Sequence, residues 1–375
     1  MSNNPHPSFD TQVCLVSEQA IPNLTPALAQ PYRPACVVLV VSDDSMAQRA
    51  EWLKNILAGH GMKVVIRRLS DAVNYVRMTQ DFQRIVTDFP NAALNATGGK
   101  KTMTLAAFEA FREAGRPIFY VERDNRLHWL SPARPEGFPL AAELTMTELL
   151  AAYGQTVDSW GTPVSGPQVA MAQALFCESR RWAQPLVSLE FLGEGEEKTI
   201  GSKFGTLTAE QRKLLELAST HGLVSQRSGQ WISGKSAASF LTGGWLEQHI
   251  SQAVKKMARR HALQDVCHSL KIHATNNPEV RNEIDVAFVH ENRLFIIECK
   301  AIKPRARSKS LADFLYTLES VRKNGGLAAR AALLTWGAEP GAGDRARAED
   351  NRILLLSGKT LNNLETTLEL WIGTQ

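Results

Sequence analysis

Asp285, Glu298 and Lys300 stand in two apolar, β-rich runs, 282–290 and 294–300, separated by the polar stretch Glu291-Asn292-Arg293. Such runs read as a hairpin. With its turn centred between Glu291 and Asn292, Asp285 lies opposite Glu298 and Glu283 opposite Lys300. All four share one face, because side chains alternate with a period of two. Directly opposed carboxylates sit about 5 Å apart and repel. A divalent cation between them offsets that repulsion, and magnesium needs only one or two protein carboxylates. A cation so held lowers the pKa of a bound water and polarises a phosphoryl oxygen. Lys300, one step along the strand, would orient or deprotonate the water, or stabilise transition-state charge. The chemistry indicated is metal-assisted hydrolysis of a phosphodiester. The opposing reading is a surface hairpin with a Glu283–Lys300 ion pair. The apolar surroundings of the carboxylates weigh against it, because unpaired charge there is costly.

Three other stretches carry chemistry-bearing residues. Glu247 follows Gly243-Gly244-Trp245-Leu246 on an expected helix and offers a further carboxylate, or else a plain solvent-facing glutamate. Gly229 to Ser236 fits the phosphate-binding pattern G-x4-G-K-S, the basis of an alternative reading as a P-loop nucleotide hydrolase. That pattern needs a buried strand before it. Polar Ser225-Gln226-Arg227-Ser228 stands there instead, and Trp231 and Ile232 would crowd the cradle. Thr97-Gly98-Gly99-Lys100-Lys101 follows an apolar run and opens a helix. Glycines let backbone approach a ligand, and a helix N-terminus with lysines favours phosphate.

Several elements must hold these residues in place. Up to about residue 150, strand and helix signals alternate: strands at 13–16, 37–41, 63–66, 92–96, 117–121 and 127–130, helices at 46–57, 72–89 and 103–111. That pattern predicts a parallel, doubly wound sheet, which takes ligands in loops at the C-terminal strand ends. Residues 151–206 are expected to be a linker and connecting segment, with Gly and Pro concentrated at 153–168. Residues 207–375 are expected to form the domain carrying the acidic hairpin. Its 207–240 portion is expected to resemble a winged helix, with a helix over 207–221 that Thr208 and Gln211 cap as a capping box. Around the hairpin the expected order is helix, hairpin, helix (311–323), strand (331–336).

Length alone predicts two or three domains. A net charge of +4 is too small to demand a nucleic-acid partner, so the distribution of charge matters more. Lys255, Lys256, Arg259, Arg260 and His261 precede the hairpin, and Lys303, Arg305, Arg307 and Lys309 follow it. Taken singly, each cluster reads as a solvated face. Both flank the carboxylates, so Arg259, Lys303, Arg305 and Arg307 are expected to contact nucleic acid. The five cysteines are scattered without zinc spacing, which suits a reducing cytoplasm. No apolar run is long enough to cross a membrane.

Taken together, Val16 to Leu24, Asn95 to Met103, Asn282 to Asp285 and Glu298-Cys299-Lys300 resemble, in order, one family. It is the CRISPR ancillary nucleases that join a CRISPR-associated Rossmann-fold (CARF) sensor to a restriction-endonuclease-like PD-(D/E)xK domain. The resemblance implies α/β architecture in both parts, a CARF sensor over 1–150 and the nuclease over 207–375. It implies a homodimer that binds a cyclic oligoadenylate, expected to be cyclic tetra-adenylate, through Ser17, Thr97, Gly98, Gly99, Lys100 and Lys101. It also implies a manganese- or magnesium-dependent endonuclease of antiviral defence, cutting single-stranded DNA or RNA and nicking duplex DNA. Its metal ligands would be Asp285, Glu298 and the main-chain carbonyl of Cys299. Lys100 departs from the family, where a small residue usually stands. The rival from another class is a non-catalytic, ligand-responsive DNA-binding regulator built on 207–235, which would not need the carboxylates.

Overall fold

A computed structural model describes residues 7–162, 165–301, 311–337 and 339–373. The chain divides into two compact units. The first holds 1–156 with 273–280 and 324–328; the second holds 157–272, 281–323 and 329–375.

The first unit begins β1 (Thr11–Leu15), α1 (Ile21–Leu28), β2 (Cys36–Val41), α2 (Asp44–Gly59) and β3 (Lys63–Arg68). It continues α3 (Tyr75–Asp88), β4 (Ala92–Asn95), α4 (Lys101–Glu113), β5 (Ile118–Val121), β6 (Arg126–Ser131), β7 (Ala133–Pro139) and α5 (Met146–Ala152). The sheet order is β3-β2-β1-β4-β5-β6-β7. The first five strands are parallel, as the alternation predicts, and near-continuous apolar runs such as Val37–Val41 are buried in them. Strands β6 and β7 are antiparallel additions. Two elements differ from expectation. α1 forms despite Pro22 and Pro26: Pro22 sits in the first turn, where its missing N–H costs nothing. β7 contains Pro135 and Pro139 and is tolerated because it is an edge strand.

The second unit opens within β8 (Gln155–Ser159) and continues with α6 (Gly166–Cys177), α7 (Ser179–Val187), β9 (Leu189–Leu192) and β10 (Glu197–Ser202). Then come α8 (Ala209–Thr220), β11 (Val224–Arg227), β12 (Gln230–Gly234), α9 (Lys235–Ser239) and α10 (Trp245–Ala258). A π turn over Phe240–Gly244 leads into α10. Long β13 (Gln264–Ala274), β14 (Asn277–His290) and β15 (Arg293–Ala301) follow. The chain finishes α11 (Leu311–Arg322), β16 (Arg330–Trp336), α12 (Ala342–Asp350), β17 (Ile353–Ser357), α13 (Lys359–Asn362) and α14 (Leu364–Gly373). Two sheets result, β17-β16-β15-β14-β13-β8 and β11-β12-β10-β9.

Residues 166–202, expected as connector, are folded. Met171, Leu175, Trp182 and Leu186 share one core with Trp245, Phe288, Phe295 and Trp336. Thr208 and Gln211 cap α8 by the predicted capping box, and the β11–β12 hairpin follows that helix. The P-loop alternative is corrected. Ser228 and Gly229 form the turn, and Gln230–Gly234 is a strand hydrogen-bonded to β10 and β11, with no room for a phosphate cradle.

His249 of α10 stacks on Phe176 of α6, centroids 4.2 Å apart. Burial, reinforced by Lys256, pulls its pKa down to about 4. A folded-state value below the unfolded one means its contribution to stability is present above about pH 6.5 and is lost as pH falls toward 4. Wild type should therefore lose about 2 kcal/mol between pH 7 and 4.5 that His249→Phe retains. Urea midpoints for both proteins at the two pH values check this, and equal losses would refute it.

Candidate active site and ligand loops

The hairpin has the predicted centre. Pairs run from His290↔Arg293 to Val286↔Ile297, and the next opposed positions are Asp285 and Glu298. Glu291 and Asn292 both have positive φ, 49° and 58°, the two-residue turn that matches strand twist. Asp285 is buried at 9% exposure, and its Oδ2 accepts the Cys299 N–H at 2.7 Å. That side-chain bond locks the carboxylate against β15. Lys300 is not spent on Glu283, which is exposed; its Nζ bridges the carboxylates, 2.5 Å from Glu298 Oε1 and 3.5 Å from Asp285 Oδ2. The Phe314 ring of α11 lies 5.5 Å from the ammonium and backs it.

Burial raises the Asp285 carboxyl above its ordinary range, with Lys300 opposing. Burial and then Asp285 raise Glu298. Burial and Asp285 push Glu247, in the first turn of α10, up to about 7. For Lys300, burial favours the neutral amine, but Asp285 and Glu298 outweigh it and hold the ammonium firmly. The ammonium is thus a firmly held positive charge beside the two carboxylates. Burial keeps the Cys299 thiol protonated, so only its main chain is a candidate ligand.

Among the described residues, fully ionised Glu247, Asp285 and Glu298 carry three negative charges against the one of Lys300, a deficit of two in a partly buried place. That deficit fits a divalent cation. Among the described residues no three His, Cys, Asp or Glu side chains converge as a ready cage. Two carboxylates, a carbonyl and waters are the sparse donor set that magnesium or manganese accepts. Arg259, exposed at the far end of α10, is twelve residues from Glu247, about 18 Å at 1.5 Å per residue, so α10 does not bring the two together. Lys303, Arg305 and Arg307 lie outside the described residues. A cleft of about 1330 Å³ in the same unit, bordered by Phe176, His249, Gln252 and Asn363, contains none of the four acidic-site residues.

In the first unit, β1 and β4 are adjacent, and from them the sheet grows in opposite directions. This is the switch point at which such sheets bind ligands. The loops after these strands carry Ser17 and Thr97 to Lys101. Gly98 presses on the end of β1: a Cβ there would stand 2.0 Å from the Leu15 carbonyl oxygen. Gly99 takes φ +82°. The Thr97 hydroxyl donates to Asn95 Oδ1 at 2.7 Å and accepts the Val121 N–H at 2.8 Å, so it fixes the loop. Lys100 caps α4 without a side-chain acceptor, leaving first-turn N–H groups for an anion. Its ammonium lies 3.6 Å from Asp43, the N-cap of α2 in the loop after β2. Asn95, Asp43 and Phe314 were not legible as site residues. Asn95 alone had a signal, a polar side chain closing a buried apolar strand just before the glycines.

Residues 11–149 match the family model described as Card1 CARF domain, and 234–374 that described as Card1-like, endonuclease domain. No curated protein matches the chain. Among solved structures, Can2 from Sulfobacillus thermosulfidooxidans in complex with cyclic tetra-adenylate is similar with TM-score 0.80 and 24% identity, over 97% of this chain and 100% of that one. Protein VC1899 from Vibrio cholerae is similar with TM-score 0.79 and 24% identity, over 96% and 97%. A type III CRISPR defence DNA nuclease activated by cyclic oligoadenylate gives TM-score 0.57 and 20% identity, over 94% of this chain and 49% of that one.

Proposed function

Because this chain belongs to the family that joins a Card1 CARF domain to a Card1-like endonuclease domain, we propose that it is a homodimeric, manganese- or magnesium-dependent endonuclease switched on by cyclic tetra-adenylate. Its substrates are single-stranded DNA and RNA, with nicking of duplex DNA, in CRISPR antiviral defence. The observation that carries the nuclease half is buried Asp285 and half-buried Glu298 bridged by Lys300, two carboxylates against one ammonium among the described residues. Asp285, Glu298 and the Cys299 carbonyl would hold the cation. When bound, it supplies Lewis acidity and a more acidic water. Lys300 holds the scissile phosphate and the charge that grows on it. Arg259, which is exposed, together with Lys303, Arg305 and Arg307, binds the nucleic-acid backbone.

For the sensor half, support comes from the Ser17 and Thr97–Lys101 loops at the switch point, and from the cyclic tetra-adenylate held by Can2. A ligand with four phosphates suits paired helix N-termini and lysines. It activates by binding the cutting-competent state of the dimer better than the idle one. The five free cysteines, and the absence among described residues of a helix long and apolar enough to cross a membrane, accord with a cytoplasmic enzyme.

The test supplies purified protein with Mn²⁺, labelled single-stranded DNA or RNA, and cyclic tri-, tetra- or hexa-adenylate. Cleavage should rise at least about tenfold with the tetramer, the size of ordinary allosteric coupling. If every ring size leaves cleavage unchanged, the sensor reading fails.

A further inference from the structure

We propose that Ser269 is a positioning residue for cleavage: set in left-handed backbone inside β13, its hydroxyl holds the Glu247 carboxylate in the acidic site. The inference rests on the nuclease reading above. Ser269 has φ +47° within the strand Gln264–Ala274. Asp265, at φ +50°, is a second left-handed residue of the same strand; such residues inside a strand mark bulges, which re-aim side chains and gather next to active sites. Glycine adopts this conformation freely and Asn or Asp are several-fold enriched in it, whereas serine gains nothing there from backbone preference. Ser269 Oγ donates to Glu247 Oε2 at 2.8 Å.

Glu247 needs such a tether. It stands in the first turn of α10, just after a break at Gly243, whose φ of 174° is outside the helical range. Burial and the like charge of Asp285 both drive this carboxylate toward solvent. A hydroxyl aimed from β13 opposes that escape and fixes one oxygen, leaving the other for the acidic site. Strain that persists at such a point is retained because the surrounding structure uses it.

Ser269→Gly separates the two roles of the residue, since glycine keeps the left-handed backbone and removes only the hydroxyl. The expected result is an unchanged or raised Tm and wild-type binding of cyclic tetra-adenylate. Turnover should fall about 10- to 100-fold, and the Mn²⁺ concentration for half-saturation in calorimetry without substrate should rise by a similar factor, the usual cost when a carboxylate beside the metal-holding pair loses its outer hydrogen-bond partner. Ser269→Asn, which tolerates the backbone and carries a donor, should recover part of both. In a Glu247→Ala background, Ser269→Gly should cost nothing further. Wild-type turnover and Mn²⁺ titration in Ser269→Gly, or its full effect persisting without Glu247, would overturn the proposal while leaving the nuclease reading intact. A wild-type protein that neither cuts nor binds Mn²⁺ overturns that reading, and this inference with it.

Discussion

Glu298→Gln is expected to lower activated cleavage by roughly two to three orders of magnitude and to raise the thermal stability of the metal-free protein. The first effect follows from removing a carboxylate that would hold the cation acting on the scissile phosphate, and loss of one group supporting the transition state costs that much. The second follows from the site's own repulsion. Glu298 and Asp285 are opposed on one strand pair, Asp285 buried and Glu298 half-buried, and among the described residues Lys300 is the cation that bridges them. Gln keeps the shape and a hydrogen bond to the lysine while removing one like charge. The pH dependence has a definite sign. Burial and Asp285 raise the folded-state pKa of Glu298, so the folded protein binds its proton more tightly than the unfolded chain does. Metal-free stability is therefore lost as pH rises from the ordinary glutamate range toward the raised value. The Tm advantage of Glu298→Gln should be small near pH 4.5 and grow to a few degrees at pH 7.5. Saturating Mn²⁺ should shrink it, because the cation neutralises the same charge in wild type. Melting curves across that range, with and without Mn²⁺, check the prediction; a variant less stable than wild type at every pH would refute it.

Gly98→Ala is expected to disable the sensor without touching the acidic site. A Cβ at this position would meet the Leu15 carbonyl oxygen at 2.0 Å and Ser17 Oγ at 3.3 Å. The first contact is with backbone inside a buried parallel strand, so side-chain rotation cannot relieve it. The loop must instead lift off the end of β1, separating Thr97 to Lys101 from Ser17 and breaking the Thr97 hydrogen bonds to Asn95 and Val121. Overpacking of this kind costs about 1–3 kcal/mol of stability. Its larger effect should be on binding. Cyclic tetra-adenylate affinity should fall at least about a hundredfold, because misplacing the donors of a preorganised anion site removes several charge-assisted hydrogen bonds together. Calorimetry with the cyclic tetramer, beside a Mn²⁺ titration that should match wild type, separates sensor damage from general unfolding. Wild-type affinity in the variant would move the ligand away from this loop.

The acidic hairpin was legible because its determinants are local. A period of two, a two-residue turn and apolar flanks fix the register, and Asp285 opposite Glu298 follows. The destination of Lys300 was not, because a four-carbon side chain answers to charge and can leave its strand-pair neighbour. It leaves Glu283 for Asp285 and Glu298. Ser269 was invisible for a related reason, since a bulge inside a strand leaves no mark on hydrophobic alternation. In the sensor unit the five parallel strands were readable from buried β-branched runs. α1 and β7 were not, because prolines conceal a helix that starts on one and an edge strand that needs no donor there. The folded character of 166–202 was hidden by its glycines and prolines. What decides that segment is burial of Met171, Leu175, Trp182 and Leu186 against a core that includes Trp245, Phe288, Phe295 and Trp336, distant along the chain. The phosphate-loop pattern at Gly229–Ser236 misled for the opposite reason: the letters fit, but Trp231 and Ile232 belong to a strand.

The decisive measurement combines sensing and cutting in one preparation. Glu298→Gln protein with Mn²⁺ is titrated with cyclic tetra-adenylate by calorimetry, then given labelled single-stranded DNA and RNA beside wild type. Wild-type affinity for the cyclic ligand, with cleavage reduced to background, is the predicted result. Ligand-stimulated cleavage at the wild-type rate would place the chemistry away from Asp285, Glu298 and Lys300 and contradict the central claim.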